Sequence, residues 1–319
     1  MTRGPAYLLI FAVVGVVAAV VALATSLTLN MTRCDNREAG PDVFLADCNA
    51  FGNFEHGAYF YDLEPVATES IRKADILFLG DSHAQYAFST AQTDAFFAGR
   101  DQRHYLLGFG YGEGSAFIQA LAARLDLHPR ALVINANPYF SNVRATPAER
   151  ILGRRAPLTR VEYLLKARAI VFAHALCARF ALTCSGPSPT IYRTRTTGHW
   201  RVGGFDTQRT YPLAPGAKPA TETQVADAAR HGAEFLSALH VAPSCVVLTG
   251  IPDGTENFDA AAFAAAIAQR LGAKVLNIAV PEMQSIDGSH MTADTAARWS
   301  EAFFAQLGPL LDGCVSAGG

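Results

Sequence analysis

The sequence predicts an α/β fold, a three-layer α/β/α arrangement around a parallel sheet, preceded by one N-terminal transmembrane helix. Three observations carry this reading. Short unbroken apolar runs such as Ile76-Leu77-Phe78-Leu79 and Ala131-Leu132-Val133-Ile134 read as strands buried on both faces of a parallel sheet. These runs alternate with stretches of helical period, the order that βαβ units produce. Pro5 to Leu29 carries no charged side chain and is long enough to cross a bilayer.

Arg3 and the N-terminal amine precede this apolar segment, and Arg33 and Arg37 follow it, diluted by Asp35 and Glu38. The positive-inside bias is therefore weak. All six cysteines (Cys34, Cys48, Cys177, Cys184, Cys245 and Cys314) lie beyond the segment. An even count there suits disulfides in an oxidising compartment. That places the N-terminus in the cytoplasm and the rest in the periplasm or outside the cell. The competing reading is a cleaved signal peptide with Ala22-Leu23-Ala24 as its A-x-A site. The apolar run continues past that site, which favours an uncleaved anchor over residues 1–29. Proximity in sequence pairs Cys34 with Cys48 and Cys177 with Cys184, leaving Cys245 for Cys314. The second pair has a geometric condition. Seven residues of continuous helix would hold the Cα atoms about 10 Å apart, so the helix must end before Cys184. Ser185-Gly186-Pro187 provides the break.

With 319 residues, half of them hydrophobic, the chain can bury a substantial core, and its net charge of −2 and lack of a long basic run give no footprint for nucleic acid. Residues 30–73 read as a tether and lead-in, and 74–319 as the domain. Its strands are expected at Ile76–Leu79, His104–Leu107, Ala131–Ile134, Cys245–Leu248 and Lys274–Ile278. Its helices are expected at Ala84–Phe97, Ser115–Leu125, Val225–Leu239, Asp259–Leu271 and Ala293–Leu311, the last capped by Thr292. An insertion at about 140–220 breaks the alternation with a long helix over Thr159–Phe180 and a polar stretch through Trp200 and Arg201. Long irregular segments of this kind serve as lids or binding loops beside an active-site mouth.

The chemistry gathers at Gly80-Asp81-Ser82-His83, directly after the first expected strand. The carboxyl end of a parallel strand faces the crevice where such sheets bind ligands. A serine there needs a base, and the base needs an orienting group. Near the other end of the chain, Asp287-Gly288-Ser289-His290 sets a carboxylate three residues before an imidazole in a glycine-containing turn. Asp287 can hold one ring nitrogen of His290 while the other faces Ser82, the logic of a Ser-His-Asp triad.

Gly80-Asp81-Ser82 near the start and Asp287-x-x-His290 near the end resemble the first and last blocks of the SGNH/GDSL hydrolase superfamily, over roughly residues 74–312. The resemblance implies an SGNH-like fold and an oxyanion hole of three donors. These are the Ser82 N–H, a glycine N–H after the second strand and an asparagine side chain after the third. Gly110 and Gly112, in Gly108-Phe109-Gly110-Tyr111-Gly112-Glu113-Gly114, both fit the glycine. Asn137 fits the asparagine, although the family's G-x-N-D context is absent, and Asn135 is the fallback. His83 after the serine resembles membrane-associated members that handle O-acylated sugars of the cell envelope. Trp200 and Arg201 are the residues to stack on and hold such a sugar. Asp81 reads as a turn residue. No cofactor is expected, and the His, Asp and Cys spacing supports no metal site.

The expected activity is that of a serine esterase acting on O-acyl groups, O-acetyl foremost, of extracytoplasmic carbohydrate. The same residues serve an O-acyltransferase of cell-envelope polysaccharide. One helix cannot carry an acyl group across a membrane, so a transferase requires a separate multi-span acyltransferase partner. The third reading is a non-catalytic envelope-binding protein that keeps the fold.

Overall fold

The computed structural model describes residues 4–110, 112–137, 139–154, 156–180, 185–203, 209–255 and 258–315. The first part of the chain runs α1 (Gly4–Met31), β1 (Val43–Cys48), α2 (Glu55–Phe60), α3 (Pro65–Arg72), β2 (Ile76–Asp81), α4 (Ser82–Ala87), α5 (Thr90–Phe97), β3 (His104–Phe109), α6 (Ser115–Leu125) and β4 (Ala131–Asn135). Then come α7 (Thr146–Leu152), α8 (Ala156–Arg179), β5 (Thr190–Thr194), β6 (Trp200–Gly203) and β7 (Tyr211–Pro212). The chain closes with α9 (Glu222–Leu239), β8 (Val246–Thr249), α10 (Ala260–Leu271), β9 (Lys274–Val275), β10 (Gln284–Ser285) and α11 (Ala293–Leu311). It divides into two compact units, one of residues 1–63, 153–193 and 201–205, the other of 64–152, 194–200 and 206–319.

The second unit carries a five-stranded, all-parallel sheet in the order β3-β2-β4-β8-β9. Its strands form where the apolar runs predict them. Alternate residues of β2 point to opposite faces, yet Ile76 and Phe78 on one side and Leu77 and Leu79 on the other are all fully buried. Both faces are therefore covered. On the Phe78 face, its ring meets Phe88, Phe97 and Phe304 at 5.0, 6.1 and 6.1 Å. Trp299 and Phe303 of α11 join the same core. Thr292 caps α11, its hydroxyl accepting the Thr295 N–H at 3.3 Å.

Two of the elements expected in the domain differ from the sequence reading. The single helix expected over Ala84–Phe97 is broken between α4 and α5. The Ser89 N–H donates to Ser300 Oγ on α11 (2.8 Å), and that hydroxyl donates to Ala87 O (2.6 Å). The helical ladder is thus diverted while the Phe88 ring enters the core. The last sheet strand is two residues long, not five, since after Val275 only the Leu276 N–H continues the ladder, to Leu248 O. Cys245 and Cys314 form a disulfide, tying the end of α11 to the start of β8.

The first unit holds α1, α2, α8 and a three-stranded sheet in the order β1-β5-β6. Residues 30–63, most of the tether and lead-in expected over 30–73, contribute β1 and α2 to it. At its centre Arg193, fully buried, donates to Glu55 Oε2 through Nε (3.0 Å) and Nη2 (2.7 Å). His56, next to Glu55, is lowered to about 3 by burial and by the Arg193 charge, so its neutral ring donates to Asn53 Oδ1 at 3.0 Å. Cys34 pairs with Cys48 as expected. Cys177 is disulfide-bonded, while Cys184 lies outside the described residues. Within α1, Leu9–Met31 has a mean hydropathy of 2.6 and is long and apolar enough to span a membrane.

Candidate active site

β2 delivers Ser82 to the carboxyl edge of the sheet, and two glycines let it arrive there. A Cβ on Gly80 would stand 2.9 Å from Ala84 Cβ and 3.0 Å from Asn135 Cβ. A Cβ on Gly108 would stand 2.7 Å from Asp81 O. Neither neighbour can yield easily, so the strand end closes against α4, β3 and β4 only with glycine at both positions. Asp81 then caps α4, its Oδ1 accepting the His83 N–H at 3.0 Å.

The structure brings Ser82, His290 and Asp287 together. Ser82 Oγ lies 2.8 Å from His290 Nε2, and His290 Nδ1 lies 2.7 Å from Asp287 Oδ2. An ionised carboxylate can only accept, so Nδ1 carries the proton and Nε2 is left to receive the Ser82 proton. The turn holds itself in this shape. Asp287 Oδ1 accepts the N–H groups of Ser289 (2.9 Å) and His290 (2.8 Å), and Gly288 takes φ +93°. Burial pushes the Asp287 carboxyl up, but the hydrogen bonds from His290 and Ser289 outweigh it and hold it below the usual range. The residue is therefore an anion at neutral pH.

A second set of the same residue types lies against the first. His83 Nδ1 is 2.9 Å from Asp81 Oδ2, and His83 Nε2 is 2.7 Å from Ser289 Oγ and 3.3 Å from Asp253 Oδ2. The rings of His83 and His290 stack with centroids 5.1 Å apart. Two Ser-His dipeptides, Ser82-His83 and Ser289-His290, thus exchange partners, each histidine serving the other dipeptide's serine. The charges distinguish them. Burial alone would lower His83, yet its hydrogen bonds to Asp253 and Asp81 prevail and raise it to about 10. With a carboxylate on each ring nitrogen, His83 is an imidazolium that donates at both ends and cannot act as a base. Ser289 is consequently held but not activated, and Ser82 is the serine with a base.

The other expected site residues divide. The Trp200 N–H donates to Gln85 Oε1 (3.0 Å), and its ring meets Tyr86 edge-on at 6.2 Å. Tyr86 in turn lies 4.6 Å from the His290 ring. Arg201 belongs to the first unit and pairs there with Asp42 at 2.7 Å. Gly110 approaches the Trp200 ring, since a Cβ there would sit 3.6 Å from it, and Gly112 takes φ +64° in open space. Asn135 is fully engaged. Its amide donates to Asp81 Oδ1 (3.4 Å) and Asn137 O (3.2 Å) and accepts the Ile251 N–H (3.1 Å). It fastens β2, β4 and the loop after β8, which removes it as an oxyanion donor. Asn137 is buried and lines a cavity with Phe140, Gln224, His231, Phe258 and Phe263.

Asp253, Ser289 and Tyr86 were not singled out in the sequence. Asp253 does follow a buried apolar strand, the same position at the sheet's carboxyl edge that marks Ser82. The repeated Ser-His dipeptide was the visible signal for Ser289. Compared with protein-family models, curated proteins and solved structures, the chain matches none.

Proposed function

We propose that the chain is a serine esterase with an SGNH-like α/β/α domain, held at the membrane by α1, that acts on O-acyl groups of extracytoplasmic carbohydrate. The observation that carries this reading is the unbroken chain Asp287–His290–Ser82, with contacts of 2.7 and 2.8 Å. As Ser82 Oγ attacks the ester carbonyl, its proton passes to His290 Nε2. The tetrahedral intermediate collapses when that proton moves to the leaving alkoxide, giving an acyl-Ser82. Water, deprotonated in turn by His290, releases the acid and restores the serine. In this reading the Ser82 N–H, a glycine N–H from residues 108–114 and Asn137 share the oxyanion. Tyr86 beside His290, with Trp200 edge-on to Tyr86, offers aromatic surface that suits a sugar ring. The disulfides suit an oxidising compartment.

An aryl acetate tests the reading, because its good leaving group lessens the need for sugar contacts. Ser82→Ala should lower kcat by about 10⁴-fold or more, and Asn137→Ala by about 10²-fold if it donates to the oxyanion. An added oligosaccharide acceptor separates hydrolysis from transfer. An esterase releases acetate regardless, whereas a transferase working with a membrane partner diverts the acyl group to the sugar. Equal background turnover by folded wild type and Ser82→Ala, on aryl acetates and acetylated sugars alike, would leave a non-catalytic envelope-binding protein.

A further inference from the structure

Beyond α1, the large apolar side chains exposed among the described residues concentrate on one helix. Leu158, Val161, Leu164, Val171 and Phe172 of α8 are 44–72% exposed, and Phe180 follows directly after it. The others, Val66, Val143, Tyr211 and Val275, are scattered. At 3.6 residues per turn the α8 set falls on one face. The opposite face, with Tyr163, Ala169, Ile170 and Ala173, is buried in the first unit. This helix is therefore apolar on two sides, and the fold covers only one of them. Arg168 and Arg179 share the outward face and Arg160 flanks it. All three are exposed, and none has a carboxylate partner among the described residues.

In the same unit α1 packs along α8. The last two turns of α1 are where it becomes buried, at Leu27 and Met31 (9% and 0% exposed), while Leu9 to Leu23 stands free. α8 is thus held in the same unit as the end of α1, where that helix leaves its apolar span. We propose that the outward face of α8 lies in the interface of the bilayer that α1 crosses, its Leu, Val and Phe side chains at the acyl boundary and Arg160, Arg168 and Arg179 on lipid phosphates. Interfacial helices divide their side chains in this way, and arginine stems bury while their guanidinium groups reach phosphate. A second copy fits less well, because a two-fold contact through the centre of this face brings Arg168 against its own equivalent. The inference rests on α1 as a membrane helix and is independent of any catalytic activity.

The test uses the full chain in vesicles of neutral and anionic phospholipid containing a lipid with a diazirine near its headgroup, with labelled peptides mapped by mass spectrometry after illumination. Peptides of α1 and of α8 around Val171 and Phe172 should label, with α8 at least about five-fold above the buried β2 peptide. Val171→Asp with Phe172→Asp should cut the α8 label and leave that of α1 unchanged. Labelled α1 with α8 at the β2 level would overturn the proposal, as would α8–α8 cross-links between copies. If neither helix labels, the membrane reading of α1 fails and this one falls with it.

Discussion

The charge on His83 makes the stability of the fold depend on pH within a defined window. In the folded chain His83 is raised to about 10 by Asp253 and Asp81 against the burial that opposes them, compared with about 6.5 unfolded. A histidine whose folded value lies above its unfolded one stabilises fully below the unfolded value. That contribution is lost as pH climbs towards the folded value. The gap corresponds to about 5 kcal/mol, declining by about 1.4 kcal/mol per pH unit between roughly pH 6.5 and 10. The lowering of Asp253 is the same attraction seen from the acid and adds nothing further. Urea unfolding of the full chain in detergent, at pH 6.5 and pH 9, measures the effect against His83→Gln. Glu113, which burial raises to about 8, also makes stability fall with pH, but it is present in both proteins and cancels in the difference. The gap between wild type and His83→Gln should narrow by about 3 kcal/mol across that interval. A gap that stays constant would show that His83 is not the fixed imidazolium described above, and the distinction between the two serines would go with it.

Ser289→Ala should leave esterase turnover within about ten-fold of wild type, because Asp253 still accepts from His83 and Ser289 is not activated. Asp287→Asn should lower kcat by about 10⁴-fold with little change in unfolding midpoint, since the amide no longer enforces the His290 tautomer. Gly108→Ala should cost about 1–3 kcal/mol by urea unfolding and impair turnover, its Cβ being driven against Asp81 O; Gly110→Ala, facing the Trp200 ring, should be tolerated. Replacing Cys245 and Cys314 together by serine should cost about 4 kcal/mol, because their bond closes a loop of 69 residues.

The parallel sheet was legible because its strands are buried on both faces and so appear as unbroken apolar runs. Ala131–Ile134 could not be mistaken for a half-exposed strand. The Asp287–His290 turn was legible because its geometry is local. What stayed hidden depends on long-range partners. The break at Ser89 arises from a hydroxyl 211 positions away on α11. The Glu55–Arg193 pair joins residues 138 apart, so nothing local showed that residues 30–63 fold with the 153–193 stretch. In the sequence His83 pointed only, through the resemblance, to an O-acylated sugar. The charge of His83 depends on Asp253, which belongs to a different strand's loop. Arg201 beside Trp200 suggested one binding motif, but β6 crosses from one unit to the other between them.

The crossed Ser-His dipeptides also fix a moment in the life of the chain. Ser82 emerges early in synthesis and its base nearly last, 208 positions later, and the second contact spans 206. On the proposed esterase reading, Ser82 is for most of that time an ordinary serine. In that reading reactivity appears only once the loop carrying His290 has met the end of β2, where both clasps form. A chain truncated before His290, or cleaved and parted between the two loops, carries no stray hydrolytic chemistry, whatever fraction of the sheet it has managed to build.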